Sequence, residues 1–334
     1  MRKMLLFVVI IMVAGLAPTL FATGAEESDS AEQDPIVLKF AHVLQTDHPY
    51  HLMALKFEEE LEQADPRVDV QIFPAGQLGN ERELIEALQL GTVDVSTITS
   101  SVTANFVPGF KVFSLPFIFR DADHLFSVMD SPIGDRMAEE LESVNLIKLG
   151  YAYGGSRDLY GSVPMTNLEE LRGRKVRTME NAILIDAWNT LGAIATPIPW
   201  GEVYVSLKQE VVDGGEGTGV SFRSMKFYDV ATYYSRINYV FSWHNFMMSG
   251  NTWNEFDAEL QAKIMDAAEI AQDYERAVFV EQEAALFDEL SSQYGVQVVI
   301  PEDIDLWREQ VLPVYEKNAD EVGGMDLIRE IMSY

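Results

Sequence analysis

Cysteine is missing from all 334 residues. That absence excludes a disulfide scaffold, a thiolate zinc site, a cysteine nucleophile and an acylated lipoprotein cysteine. It fits an oxidising compartment, where a stray thiol is a liability. Positive charge is scarce: 24 Lys and Arg stand against 53 Asp and Glu, for a formal net charge of −29. A phosphate backbone needs a Lys/Arg footprint, so nucleic acid is not an expected partner. Signatures of catalysis are missing as well. The chain has no G-x-S-x-G elbow, no H-E-x-x-H helix and no P-loop lysine. It shows no internal repeat and no low-complexity tract, and past the N-terminus no apolar run is long enough to span a bilayer.

What is present points to an exported, folded protein. Hydrophobic residues make up 48% of the chain and aromatics 11%, enough to bury a large core and to exclude a disordered chain. At this length two domains, or two lobes sharing a hinge, are expected. The chain opens Met1-Arg2-Lys3, runs apolar from Met4 to Ala17, and reaches small residues at Ala22, Thr23, Gly24 and Ala25. A charged start, an apolar stretch and a small-residue exit describe a secretory signal peptide, expected over residues 1–24 with cleavage within Ala22–Ala25. Losing Arg2 and Lys3 lowers the charge by two, to −31. Residues 25–35 are polar and acidic and read as a disordered leader.

The mature chain alternates strands and helices. Ile36–Val43, Val68–Phe73, Val93–Ile98, Leu146–Ala152 and Lys175–Thr178 read as strands. His48–Ala64, Glu81–Leu90, Asn167–Leu171, Ala182–Leu191 and Val203–Lys208 read as helical, with Asn80 and Glu83 spaced for a capping box. This alternation predicts an α/β sheet with crossover connections, in which ligands sit at the carboxyl ends of strands. From Asp257 to Tyr294 there is neither Pro nor Gly. A straight helix of that span would be about 57 Å long, so it is expected to bend or to run across both lobes.

Several residues are candidates for chemistry. Gly214-Gly215-Glu216-Gly217-Thr218-Gly219 lacks the register of a phosphate loop, and Glu216 would repel phosphate; it reads as a flexible strand-to-loop bend. His42, His48 and His51 are close in sequence, yet Pro49 intervenes and no acidic loop accompanies them, so zinc is a minor alternative. His42, just after the first strand, is a candidate ligand hydrogen-bonder. In this acidic chain Arg172, Arg174, Lys175 and Arg177 fall within six residues. Arg172 and Arg174 read as a solvated turn. Arg177 lies at the carboxyl end of a strand, and Arg157 follows another in Gly154-Gly155-Ser156-Arg157. Two guanidinium groups at strand ends suit a small organic carboxylate, which each can grip bidentately.

Gln77-Leu78-Gly79, Arg157 twenty residues before Arg177, and Pro199-Trp200-Gly201-Glu202-Val203-Tyr204 leading to Val212-Asp213-Gly214 together resemble the solute-binding receptors of TRAP transporters, the ATP-independent importers of organic acids. The resemblance runs from about Leu38 to Tyr315. It implies a two-lobed periplasmic-binding-protein fold of α/β lobes, with hinge strands and a long lobe-spanning helix. Lobe I is then expected over 36–154 plus 243–282, and lobe II over 155–242 plus 283–334. It further implies that Arg177 pairs with the ligand carboxylate, that Arg157 supports it, and that Trp200 packs on the ligand. Polar pocket positions fall at His42, Glu81, Thr99, Glu180 and His244. Many family members carry an Asn where this chain has Gly217, so either Glu216 or a water is expected to take that role, or the ligand is larger or differently hydroxylated. Glu202 and Tyr204 read as structural.

The function so implied is that of a periplasmic receptor, monomeric and without a cofactor. It binds a small organic acid and hands it to a membrane permease, with no bond made or broken. His42, Glu81, Glu180 and His244 offer many hydroxyl partners, which ranks a hexuronate or aldonate ahead of a C4-dicarboxylate or 2-oxo acid. An exported hydrolase using Glu81 and Glu180 is the alternative of another class, and a zinc receptor a further one.

Overall fold

Nine strands join into one mixed sheet in a computed structural model that describes residues 35–334: β1 (Ile36–Ala41), β2 (Val68–Phe73), β3 (Val95–Thr99), β4 (Leu146–Gly161), β5 (Lys175–Thr178), β6 (Ile194–Pro197), β7 (Gly214–Thr218), β8 (Tyr233–Ser249) and β9 (Gln297–Val299). The signal peptide and most of the leader expected at 1–35 lie outside the described residues. The sheet runs β2-β1-β3-β8-β4-β7-β5-β6, with β9 also on β8. Its two ends are parallel three-strand units, β2-β1-β3 and β7-β5-β6, wrapped by crossover helices. Between them β4 and β8 run antiparallel to each other, to β3 and to β7. These two long strands belong to both units, which is the two-lobed plan with crossing hinge strands.

The helices form for local reasons. Pro49–Ala64 opens on Pro at N1, with the His48 ring accepting the Tyr50 N–H at 3.2 Å, and buries Tyr50, Met53, Ala54, Phe57 and Leu61 on one face. Glu81–Leu90 has the expected capping box: Asn80 Oδ1 accepts the Glu83 N–H at 3.2 Å and Glu83 Oε2 accepts the Asn80 N–H at 2.8 Å. It stops at Gly91, whose φ of 74° is the left-handed cap that glycine adopts without strain. The Pro- and Gly-free stretch breaks at Ala285 into helices Ala258–Ala284 and Leu286–Tyr294. The first of these packs on helix Pro49–Ala64, on β4 and on helix Gly219–Ser224, so it spans the two lobes.

β4 is far longer than the strand expected at Leu146–Ala152, and it shifts register against β8 at Lys148/Gly150, Tyr153/Gly155 and Arg157/Leu159. Each bulge frees backbone N–H groups that must find other partners. Gln272 Oε1 takes the Tyr151 N–H at 2.7 Å and Glu275 Oε2 takes the Tyr153 N–H at 2.9 Å, both from the long helix. At the third bulge Asp158 Oδ1 accepts the N–H groups of Ile237 and Asn238, each at 2.8 Å. Asp158 is buried, and burial pushes its carboxyl up to about 7. The C-terminal helices fold back onto 111–124: the Tyr315 hydroxyl donates to the Pro116 carbonyl at 2.5 Å and Lys111 pairs with Glu321 at 2.9 Å. Among the described residues, no helix is long and apolar enough to cross a membrane.

Candidate functional site: a cleft with one charged wall

The register of the sheet brings three charged side chains together. Arg157 lies opposite Thr218 on β7, Arg177 lies beside Gly215 on the same strand, and Glu216 sits between them. Glu216 is fully buried. Its Oε2 pairs with Arg157 Nε, its Oε1 lies 3.4 Å from Arg177 Nη1 and its carbonyl accepts Arg157 Nη2 at 3.2 Å. Arg177, only 2% exposed, also donates through Nε to the Ile198 carbonyl at 2.9 Å. Burial opposes the Glu216 charge, but the two guanidinium groups outweigh it and hold its carboxyl below the usual range. Burial likewise opposes the charge on both arginines. The Glu216 carboxylate overrides this at Arg157 and not at Arg177, which is lowered yet, as an arginine, stays charged. Two cations share one carboxylate, and one positive charge remains for a ligand.

Trp200 closes this wall. The Arg177 guanidinium lies 5.4 Å from the centroid of its ring, a cation–π distance, and Phe227 packs on its other neighbourhood at 5.2 Å. The run expected as a flexible bend is instead the buried strand β7. Its glycines are there for space. A Cβ on Gly215 would meet the Tyr160 ring at 3.0 Å, and one on Gly217 would meet Tyr160 at 3.3 Å and Trp200 at 3.5 Å. Tyr160 and Trp200 lie over a strand stripped of side chains, and Glu216 is the one charged group it projects. Gly217 therefore seats Trp200, and Glu216 is the counter-ion of the arginines.

The opposite wall is a hydrogen-bonded chain with no cation of its own. Glu81, at the first turn of its helix and 9% exposed, accepts the Thr99 N–H at 2.7 Å and the Thr99 hydroxyl at 2.6 Å. That hydroxyl lies 3.0 Å from His244 Nε2, and the His244 ring packs on Tyr50 at 4.3 Å. Burial raises the Glu81 carboxyl and lowers His244 well below its ordinary value. The same desolvation lowers His42 and His48 to about 3, so all three rings are neutral.

Arg157, Arg177, Trp200, Glu81, Thr99 and His244 thus line one cavity, together with Val43, Leu44, Met179 and Ser221. Its volume is about 20 Å³, room for about one water molecule, so entry of a sugar-sized solute requires the walls to part. Glu180 lines an adjoining compartment that shares Glu81, Arg177 and Trp200. His42 does not reach the cavity wall: its Nε2 lies 3.1 Å from His51 Nδ1. His48 is held by Ser221 Oγ at 3.1 Å. Among the described residues no three His, Asp or Glu side chains converge as metal ligands. Sequence reasoning missed Tyr50, Met179 and Ser221. Ser221 lies in the first turn of the helix after β7 and Met179 follows β5, so the strand-end rule pointed at both.

A sheet with two crossing strands and a cation-lined cleft between its ends defines the class: a binding receptor whose lobes close on an anionic solute. The family model for the bacterial extracellular solute-binding proteins, family 7 (DctP), matches residues 40–321, and the chain belongs to that family, the receptors of TRAP transporters. They are solute receptors, not enzymes. Among solved structures, a TRAP periplasmic solute-binding protein of Polaromonas sp. JS666 bound to D-erythronate superposes with a TM-score of 0.86 at 31% identity, over 89% of this chain and 98% of that one. Its counterpart from Xanthobacter autotrophicus with β-D-galacturonate gives 0.84 at 29%, over 89% and 99%. A Shewanella oneidensis protein with bound succinate gives 0.86 at 26%, over 90% and 99%.

Proposed function

We propose that this chain is the receptor for a sugar acid, a hexuronate or an aldonate, which it holds by its carboxylate on Arg177 and passes to a TRAP membrane permease. The observation that carries the reading is the charge on one wall: Arg157 and Arg177, both buried, share the single carboxylate of Glu216. A solute carboxylate is the group that this surplus charge fits, and guanidinium donors meet it in a planar fork. Trp200 offers an apolar face to the C–H side of a sugar ring, and Glu81, Thr99 and His244 offer hydroxyl partners. The relatives bound to erythronate and galacturonate support the sugar-acid class, and the succinate-bound one keeps a C4-dicarboxylate as the second reading.

In this reading lobe I comprises 36–154 plus 243–282 and lobe II 155–242 plus 283–334. They close by a hinge motion through β4 and β8. The protein works as a monomer in the periplasm after losing residues 1–24. Mass spectrometry of the protein exported by its own host tests the last point: a chain still carrying Met4–Ala17 overturns it. The ligand class is tested by a thermal-shift screen of purified protein against hexuronates, aldonates, C4-dicarboxylates and 2-oxo acids. A ligand at about 100 times its Kd adds about 2.7 kcal/mol. The reading expects sugar acids to give the largest rise in melting temperature. A screen in which only dicarboxylates or 2-oxo acids stabilise overturns it.

A further inference from the structure

Solved relatives of similar fold hold both polyhydroxy monocarboxylates and a dicarboxylate, so the fold alone does not choose between them. Resting on the sugar-acid reading above, we propose that Glu81 makes this cleft a one-carboxylate site, which admits aldonates and hexuronates and turns away the dicarboxylic acids of the same carbon chain.

Charge is distributed unevenly around the cavity. On the β7 side, Arg157 and Arg177 carry two positive charges and Glu216 removes one. One ligand carboxylate closes that count. On the far side stands Glu81, in the same cavity, with Oε1 taken by Thr99 and no partner for Oε2 among the described residues. Among the described residues the cations that act on it are Arg157 and Arg177 across the cavity, already counted on the β7 side, and no further cation faces it. His244 Nδ1 lies 4.0 Å from Glu81 Oε1, but burial keeps that ring neutral, and His42 and His48 behind it are neutral for the same reason. Arg82 lines the adjoining compartment, yet its guanidinium sits 5.3 Å over the Phe106 ring with Nε 3.5 Å from Glu86, and Glu180 brings a further carboxylate to that compartment. The positive end of helix Glu81–Leu90 is already matched by Glu81 and Glu83 in its first turn.

A second ligand carboxylate would therefore rest against Glu81 with no further cation to receive it. If Glu81 is ionised the two repel; if it is protonated, the incoming charge must be held without a counter-ion in a desolvated site. A primary alcohol at the same place can donate a hydrogen bond to the open Glu81 oxygen. The same residue thus favours one end group and rejects the other.

D-galactonate and galactarate test this directly. They share every stereocentre and differ at the far end, where one has a primary alcohol and the other a second carboxylate. Calorimetric titration of the wild-type protein is expected to give galactonate, or galacturonate, about thirtyfold or more tighter than galactarate. In Glu81→Gln the preference should fall below about fivefold, through tighter galactarate and weaker galactonate. Glu81→Asp keeps the charge and should keep the preference, which covers the case of a poorly folded Gln variant. Equal binding of the two acids by wild type, or an unchanged ratio in Glu81→Gln, overturns the inference while leaving the sugar-acid reading standing. Failure of every sugar acid to bind, with succinate or another small acid binding instead, overturns both.

Discussion

The two walls of the cleft are built on opposite terms. The β5–β7 wall is charged and internally paired: Arg157, Arg177 and Glu216 hold one another with Trp200 laid across Arg177. The β3–β8 wall is a hydrogen-bonded chain, Glu81 to Thr99 to His244, whose imidazole packs on Tyr50 and is kept uncharged by desolvation. The first wall has charge to spare and suits recognition of a carboxylate. The second has oriented donors and acceptors and suits recognition of hydroxyls. The contrast shows how a chain of net charge −29 can receive an anion: its acids lie mostly on outer helices, screened beyond about 8–10 Å, whereas the arginine pair acts at contact.

The comparison can be broken from the charged side first. Arg157 is the closest partner of Glu216, so Arg157→Ala leaves a buried carboxylate leaning on Arg177 alone. A loss of about 3–5 kcal/mol of unfolding free energy is expected in denaturant titration; a loss below about 1 kcal/mol would mean that the charged wall is not held as a unit. Behind this wall, Asp158 holds its proton up to about 7 against an ordinary value of 3.8, and so contributes stability that is full below about 3.8 and gone above about 7. Asp158→Asn keeps Oδ1 as acceptor for Ile237 and Asn238. Relative to wild type it should gain up to about 4 kcal/mol in denaturant titrations as pH rises from 4 to 8. Parallel pH profiles for the two proteins would contradict this.

Smaller effects sharpen the contrast. Arg177→Lys keeps a charge and loses the planar fork, at a cost of about 1.5–3 kcal/mol, or about tenfold to a hundredfold in affinity for a sugar acid by calorimetry. Arg177→Ala should be worse. Gly217→Asn puts a side chain where a Cβ already meets Tyr160 at 3.3 Å and Trp200 at 3.5 Å, and should tilt the indole into the cleft. The expected loss is about tenfold in affinity, about 1.4 kcal/mol, with Gly217→Ala intermediate. Arg172→Ala is the control from the same basic cluster. It is exposed and outside the cleft, so affinity should move by less than about threefold.

Much of this arrangement was legible in the sequence, for reasons that can be named. β2, β5 and helix Glu81–Leu90 appear within their expected bounds because hydrophobic alternation, Pro74, Asn80 and Gly91 mark them locally. Arg177 and Arg157 stood out as rare cations expected at strand ends, and both line the cleft, although Arg157 lies inside β4 and not after a strand, because β4 continues to Gly161. β8 was not legible, nor was the full length of β4. Both are buried on two faces over most of their length, so no alternation marks them, and their bulges are resolved by Gln272 and Glu275 from a distant helix and by Asp158 of β4 reaching Ile237 and Asn238. The glycine run at β7 misled for a related reason. Its meaning depends on Tyr160 and Trp200 lying over it, which no local pattern reveals. His42 follows its strand as expected, but its ring pairs with His51 and does not line the cleft.

The most direct test of the charged wall sets a sugar acid against its neutral parent. Thermal melts of wild-type protein with D-galacturonate and with D-galactose, each at the same millimolar concentration, isolate the carboxylate while keeping the ring and most of its hydroxyls. The account predicts a rise of about 2–4 °C or more with the acid at saturation and no measurable rise with the sugar. Equal shifts from the two would show that the hydroxyl wall alone carries recognition and that Arg157, Arg177 and Glu216 are only structural.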